Sequence, residues 1–572
     1  MPTEFEVEGR SDAAPFTLRV RRGEGMALLT MNWKDGKPPE DFVGFAIECR
    51  PPDGDRFFPL VNRLSFPTAD GEVGASPKPT TLAPLQKFRW VHFPRDAEVD
   101  GEFVYRVTPV LMDDDDELRS GDAQTAAIAL GGETYPEQLN VTFTRGFVSS
   151  QAFVDRYESA GPISSLLPKK AADGLDFQPT HPEATEALDW MGFEARRAIL
   201  ALLDRAIADK QAKVSVVAYD LSQAEVVSRL EQLGERLRVI VDDSGEHGES
   251  HSGETQAATR LAASAGAGNV KRQHMADLQH NKTIVVDGPQ VQAVVCGSTN
   301  FSWRGLFVQA NNAVVLQGKG PVAAFQDAFE AYWEHDDAEE FGATPSAELV
   351  DLELTGIDAR VSFSPHLPGN AMLQTVADDI GDGAESSILY SLAFLHQTKG
   401  PIRQAIETVT EDGSIFVYGI ADKEVDGIDL QKPDGNLAPV SFAALTKNVP
   451  EPFKSEPNSG PVGTRMHHKF VVIDFDKPTA RVYLGSYNFS NPADTENGEN
   501  LLVVNDRRIA VAYAVEALRI FDHYHFRVVS QEAKDSGKPL MLAKPPRKPG
   551  EKPWWDKYYS DPQRARDREL FA

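Results

Sequence analysis

Cysteine is almost absent from this chain: Cys49 and Cys296 are the only two in 572 residues. Each lies inside an apolar, strand-like run. They read as small buried residues of a reducing compartment, not as a disulfide framework. Long hydrophobic runs are missing too. No stretch approaches eighteen consecutive apolar residues, which argues against a transmembrane helix. The opening MPTEFEVEGRSDAAP has neither the basic segment nor the apolar stretch of a secretory leader, so the expectation is a cytoplasmic protein. Basic residues are in deficit, 58 against 86 acidic, for a net charge of −28. That argues against broad adhesion to nucleic acid or anionic membrane, but it leaves room for a local basic pocket holding one phosphate.

What is present is an ordinary globular composition, 41% apolar and 25% charged. The chain is too long for one hydrophobic core, and about two to four domains are expected. Residues 1–145 read as all-β. Alternating runs such as FTLRVRR, MALLTMNW, FVGFAIECRPP, EFVYRVTPVLM and LNVTFTRG are separated by Gly, Pro and Asp clusters, the pattern of a β-sandwich. GEFVYRVTPVL resembles a late strand of a fibronectin-III or immunoglobulin-like domain, with Tyr105 as its corner residue. The acidic DDDDE at 113–117 reads as a solvated hairpin loop.

A linker, 146–182, leads into α/β sequence. KVSVVAYD (213–220) and RLRVIVDD (236–243) are strands flanking an amphipathic helix at 221–234. The loop DSGEHGESHSGE carries His247 and His251 at metal-like spacing, but in a Gly/Ser loop that spacing has no helical meaning, and no metal is expected there. Then the chain repeats itself. SSILYSLAF, GPIRQAIETV and SIFVYGIAD reproduce the strand–helix–strand order about 173 residues later. Domains are therefore expected at 183–345 and 346–535, with a tail at 536–572. The second copy holds an insertion at 424–463, a candidate lid or substrate loop. In the tail, WWDKYY (554–559) is expected to dock onto the body of the protein, and FDHYHFR (521–527) to be a packed helix end.

Each copy carries one polar constellation. The first has His280, Lys282, Asp287, Gly297, Ser298 and Asn300; the second has His467, Lys469, Asp474, Gly485, Ser486 and Asn488. Both are spaced H-x-K-x4-D and G-S-x-N, with His and Asn 20 residues apart in one and 21 in the other. HHKFVVID alone would pass for a loop entering a core strand. Its repetition would not, because core strands have no need of His, Lys, Ser and Asn at fixed offsets. Residues two apart on a strand share a face, so His and Lys point together. If the next strand pairs alongside, Ser and Asn converge on them. Lys supplies charge and Ser and Asn neutral donors, half a site for a tetrahedral anion.

Over about residues 180–530 these paired motifs resemble the phospholipase D superfamily, whose signature is two HKD motifs each followed by G-S-x-N. The resemblance implies two pseudo-twofold-related α/β/α sandwich domains and metal-independent, cofactor-free cleavage of a phosphodiester. It implies His280 as the nucleophile that forms a phosphohistidine and His467 as acid and base. The family places a carboxylate after G-S-x-N to orient the neighbouring histidine. Eleven residues after Asn488 stands Glu499; eleven after Asn300 stands Asn311. The expectation is that Glu499 serves His467, making it the more basic, and Asn311 serves His280. Asp287 and Asp474, at odd offsets from their histidines, are expected to anchor backbone. Tyr219 and Asp220, at a strand end, are candidates for the pocket rim. The substrate reading is a phospholipid head group first, DNA or RNA second, and a catalytically silent scaffold last. Hydrolysis and transfer to an alcohol both stay open. Two motifs in one chain complete a site without a second subunit, and the sandwich offers a place for a protein partner.

Overall fold

The computed structural model describes residues 4–572 apart from 69, 73, 75–76, 95, 147–152, 154–155, 394, 396–399, 423–426, 432–436 and 442–465. The chain forms two compact units, Met1–Gly132 with Val511–Ala572, and Glu133–Ala510. No helix among the described residues is long and apolar enough to cross a membrane.

The first unit is a two-sheet sandwich. Glu6–Glu8, Phe16–Gly23, Met26–Trp33 and Arg89–His92 form one sheet. Glu102–Met112 is central to the other, with Phe42–Arg50 on one side and Leu118–Ser120 and Gln124–Ala129 on the other. Alternation drives the packing: Phe16, Leu18 and Val20 point inward to meet Phe45, Ile47, Phe103, Tyr105 and Val107. Tyr105 is buried, and its hydroxyl meets His92 Nδ1 at 2.9 Å. The acidic DDDD stretch is an exposed turn, as read, and takes ion pairs from Lys544 and Arg547. The tail aromatics also belong to this unit. Trp555 is buried in the sandwich core, and Trp554, Tyr558 and Tyr559 pack against it.

The second unit holds two related mixed sheets. One runs Leu139–Phe143, Asn312–Gln317, Gln292–Gly297, Lys282–Asp287, Lys213–Ala218, Leu237–Val241, Val270–Arg272. The other follows the same order through Asp358–Ser364, Glu499–Asn505, Arg481–Gly485, Lys469–Ile473, Ser387–Leu392 and Phe416–Asp422. The 139–143 segment, read above with the sandwich strands, is a correction. It pairs antiparallel with Asn312–Gln317, the place that Asp358–Ser364 takes in the second sheet. Of the 424–463 insertion, Gly427–Gln431 and Leu437–Ser441 extend the second sheet, and the rest lies outside the described residues.

Candidate active site

The site forms where the strand pairs carrying the two constellations end. Lys213–Ala218 lies antiparallel to the first motif strand, with Ala218 opposite Lys282. Ser387–Leu392 treats the second alike, with Leu392 opposite Lys469. The glycine of each G-S-x-N turns the chain out of the next strand. Gly297 has φ 127° and Gly485 φ 140°, and a Cβ would fall 2.6 Å and 2.2 Å from the carbonyl oxygens of Asn312 and Asn500. Only glycine fits both demands. The halves are joined by backbone hydrogen bonds, from His467 N to the Ala310 carbonyl at 3.1 Å and from Gly498 N to that of Leu278 at 2.8 Å.

This joint brings the two imidazoles face to edge, with centroids 6.3 Å apart and planes at 71°. Each is held from the opposite half. His280 Nδ1 lies 2.8 Å from Glu499 Oε2, and His467 Nδ1 lies 2.8 Å from Asn311 Oδ1. The orienting groups are therefore exchanged relative to the reading by copy. The strand starts bearing Asn311 and Glu499 abut the opposite half, so each reaches the histidine across the joint. Ser298 Oγ donates to Asn311 Oδ1 at 2.9 Å, and Ser486 hydrogen-bonds Glu499. Both serine hydroxyls are thus engaged in holding the groups that hold the histidines.

Lys282 Nζ donates to its neighbour, the His280 carbonyl. Lys469 Nζ donates to the His467 carbonyl at 3.0 Å and sits 3.1 Å from His467 Nε2. Asn300 and Asn488 each leave a buried amide oxygen with no hydrogen-bond partner among the described residues, at the same place in both halves. Asp474 anchors backbone as expected, accepting from the amides of Glu385, Ser386 and Ser387 at 2.7–3.2 Å. Asp287 does not: it is exposed, and among the described residues its carboxylate accepts from Gln292 Nε2 alone, at 2.9 Å. The first copy lacks the burial that gives Asp474 its amides.

Residues 202–333 and 384–521 match the family model described as cardiolipin synthase, PLD-like domain. The chain belongs to the phospholipase D superfamily, in its two-repeat form. Among solved structures it is similar to polyphosphate kinase from Porphyromonas gingivalis (11% identity, TM-score 0.37, 60% of this chain and 49% of that one). It is also similar to phosphatidylserine synthase from Haemophilus influenzae Rd KW20 (14%, 0.41, 60% and 92%). A third similarity is to Nuc, a phospholipase D family member from Salmonella typhimurium (23%, 0.21, 24% and 87%). The chain spans about half the length of the polyphosphate kinase. No curated protein matches the sequence.

Electrostatics at this phospholipase D-type site favour neutral histidines. Burial holds His280 well below the usual imidazole range, and Lys282, Lys469 and His467 push it the same way. His467 is likewise held down by burial, then by Lys469 and Lys282. Burial lowers Lys282 to about 7, against the pull of Glu499, Asp220 and Asp242. Burial raises Glu499 to about 8, opposed by Lys282. In the tightly coupled His280–Glu499 pair we place the one shared proton on Nδ1, a neutral imidazole facing a carboxylate that Lys282, Lys469 and Ser486 keep ionised against its burial. His467 Nδ1 faces only acceptors, Asn311 Oδ1 and the Ser298 carbonyl, so its proton is on Nδ1 as well. Nε2 of His280 remains for chemistry, while that of His467 faces Lys469 Nζ at 3.1 Å.

Beside this core lies a cluster that motif reading passed over. Tyr219 packs edge-on to His280 at 4.7 Å and to His247 at 4.6 Å, with Lys282 Nζ 4.8 Å from its ring centre. Tyr219 is therefore a wall of the site. Asp220 accepts from Ser302 Oγ at 3.1 Å. His251 stays exposed against Glu249 and takes no part. Asp220, His247 and Glu254 bring one ligand-type atom each within 4.8 Å of one another, the one such trio among the described residues. Yet both nitrogens of His247 already face carboxylates, Asp242 at 2.7 Å and Asp220 at 3.4 Å. Burial opposes a charge there, but the two carboxylates outweigh it and raise His247 to about 10. Protonated His247 thus bridges Asp220 and Asp242, and a metal at the trio would have to displace its proton. The sequence signals were the strand-end position of Tyr219 and Asp220 and the His247/His251 spacing in the loop, which paired His247 with a residue that takes no part.

Proposed function

We propose that this protein hydrolyses a phosphodiester through a covalent phosphohistidine. The observation that carries the reading is the pair of facing imidazoles, each fixed at Nδ1 by a buried acceptor so that both Nε2 atoms address one phosphorus. His280 Nε2 attacks phosphorus as the P–O bond to the leaving oxygen breaks; the negative charge of the phosphodiester offsets the lysines that hold His467 neutral, so His467 takes up a proton at Nε2 and gives it to that oxygen. Neutral His467 then takes a proton from water, whose oxygen displaces His280 from phosphorus. Lys282 and Lys469 offset charge on the non-bridging oxygens, and the amides of Asn300 and Asn488 can rotate to donate to them. Glu499 beside Nδ1 stabilises positive charge developing on His280, which supports His280 as the nucleophile. The substrate class we propose is a phospholipid, cleaved at its head group. The net charge of −28 weighs against a polyanionic nucleic acid and an anionic membrane alike, which leaves a zwitterionic phospholipid such as phosphatidylcholine favoured.

The test is release of p-nitrophenol from bis-p-nitrophenyl phosphate in EDTA, with His280→Ala and His467→Ala alongside and phosphatidylcholine and single-stranded DNA offered in parallel. Wild-type turnover lost in both variants, with lipid cleaved and DNA intact, is expected. Cleavage of DNA alone would replace the lipid reading with the nuclease one. Activity that disappears with EDTA would overturn the metal-independent mechanism.

A further inference from the structure

The nucleophile's half of the site contains a stack of three rings in the order His247, Tyr219, His280, and among the described residues the second half shows no such stack at the matching position. The contacts are 4.6 Å and 4.7 Å, both edge-on. Strand register makes the comparison definite. Ala218 faces Lys282 and Leu392 faces Lys469, so the residue after each is the counterpart of the other: Tyr219 in one half, Ala393 in the second.

The stack is closed into a ring of hydrogen bonds that returns to His280. Buried Asp242 accepts His247 Nδ1 at 2.7 Å through one oxygen, and through the other the backbone amide of Gln279 at 2.7 Å, one residue before His280. The oxygen facing His247 also accepts from Ser244 N at 3.0 Å and Ser244 Oγ at 2.6 Å, which fixes the loop bearing His247. Asp220 ties the other edge of His247 to Ser302, in the segment that follows the first G-S-x-N. The Gly/Ser-rich loop that carries His247 is thus bound to both sides of the first motif.

A hydrogen bond at Nδ1 alone lets an imidazole rock about that contact and swing Nε2 off line. An aromatic edge against the ring removes that freedom, provided the aromatic ring is itself held. We propose that Tyr219 and His247 are a positioning pair for His280: Tyr219 fixes the ring of the nucleophile, and His247, clamped between Asp242 and Asp220, fixes Tyr219 and places a positive charge behind it. This rests on the reading of His280 as nucleophile. It also explains why one half has the stack, since only the attacking nitrogen needs a fixed line to phosphorus.

The groups facing His280 are Glu499, Lys282, Lys469, His467, Tyr219 and, beyond it, His247 with Asp220, Asp242 and Glu254. Of these, Lys282, Lys469, His467 and His247 all oppose a proton on His280. Removing the charge of His247 therefore lets His280 protonate at higher pH. The experiment follows His280 by ring-labelled histidine NMR across pH, assigned with His280→Ala, in wild type, His247→Gln, Tyr219→Phe and Tyr219→Leu. The kcat and KM for bis-p-nitrophenyl phosphate are measured on the same samples. In His247→Gln the His280 titration should move up in pH. In Tyr219→Leu kcat should fall about tenfold with KM little changed, while Tyr219→Phe, which keeps the ring, stays near wild type. An unmoved His280 titration in His247→Gln, or wild-type kcat in folded Tyr219→Leu, would overturn the pair. If His280→Ala keeps its activity, the nucleophile assignment has failed instead, and the NMR titration still reports on the contact itself.

Discussion

At the scale of single residues, the exchanged partners of the two histidines set their division of labour. His280 has a carboxylate behind it and His467 an amide. A carboxylate offsets the positive charge that grows on an attacking imidazole, whereas an amide fixes the tautomer and leaves the proton easier to give away. Two substitutions separate these duties. Glu499→Gln keeps a hydrogen bond to His280 and removes the charge, so kcat should fall by on the order of a hundredfold. Asn311→Asp puts a carboxylate beside His467. It stabilises the imidazolium, so His467 keeps its proton to higher pH, and the alkaline limb of the kcat/KM profile should move up. An alkaline limb that stays in place would mean that Asn311 does not govern His467. The identity of both partners was legible from the eleven-residue spacing after each Asn. Which histidine each one serves was not, because spacing along a strand carries no information about which half the strand end abuts.

At the scale of elements, the two H-x-K-x4-D strands look equivalent in sequence and end differently. Asp474 is buried and accepts three successive backbone amides of the neighbouring strand's start, whereas Asp287 is exposed. Losing Asp474 strands those amides without acceptors, at a cost of roughly 2–4 kcal/mol; losing Asp287 should cost within about 0.5 kcal/mol. Denaturant unfolding of Asp474→Ala and Asp287→Ala checks this, and equal midpoints would refute the anchoring role. The wider lesson concerns partners. Alternation in LNVTFTRG correctly marks a strand at 139–143, but alternation cannot say which sheet a strand joins. That choice rests on long-range pairing with Asn312–Gln317. The paired motifs were the most legible feature, because Gly297 and Gly485 meet the same steric demand in both copies and the polar residues around them follow.

At the scale of the whole molecule, the chain's two ends share one unit. The N-terminal sandwich strands and the last residues meet through Arg21, whose guanidinium donates to the Phe571 carbonyl at 2.6 Å, and Arg19, which donates to that of Ala572 at 2.6 Å. The indoles of Trp554 and Trp555 donate to the carbonyls of Phe42 and Pro39 at 3.0 and 3.2 Å. Trp554 also stacks on Phe88, with centroids 5.4 Å apart. WWDKYY is therefore part of the sandwich core, and its aromatics are occupied with packing. Every residue of the proposed chemistry lies in the other unit, Glu133–Ala510. Stability of the sandwich and chemistry at the histidines should then separate. Trp555→Ala removes a buried indole and should cost about 3–5 kcal/mol in the unit that contains it. Calorimetry should show an earlier unfolding transition, while kcat/KM for bis-p-nitrophenyl phosphate, measured well below that transition, stays at the wild-type value. A fall in kcat/KM without unfolding would show that the sandwich contributes to catalysis directly and that its core is not a purely structural element.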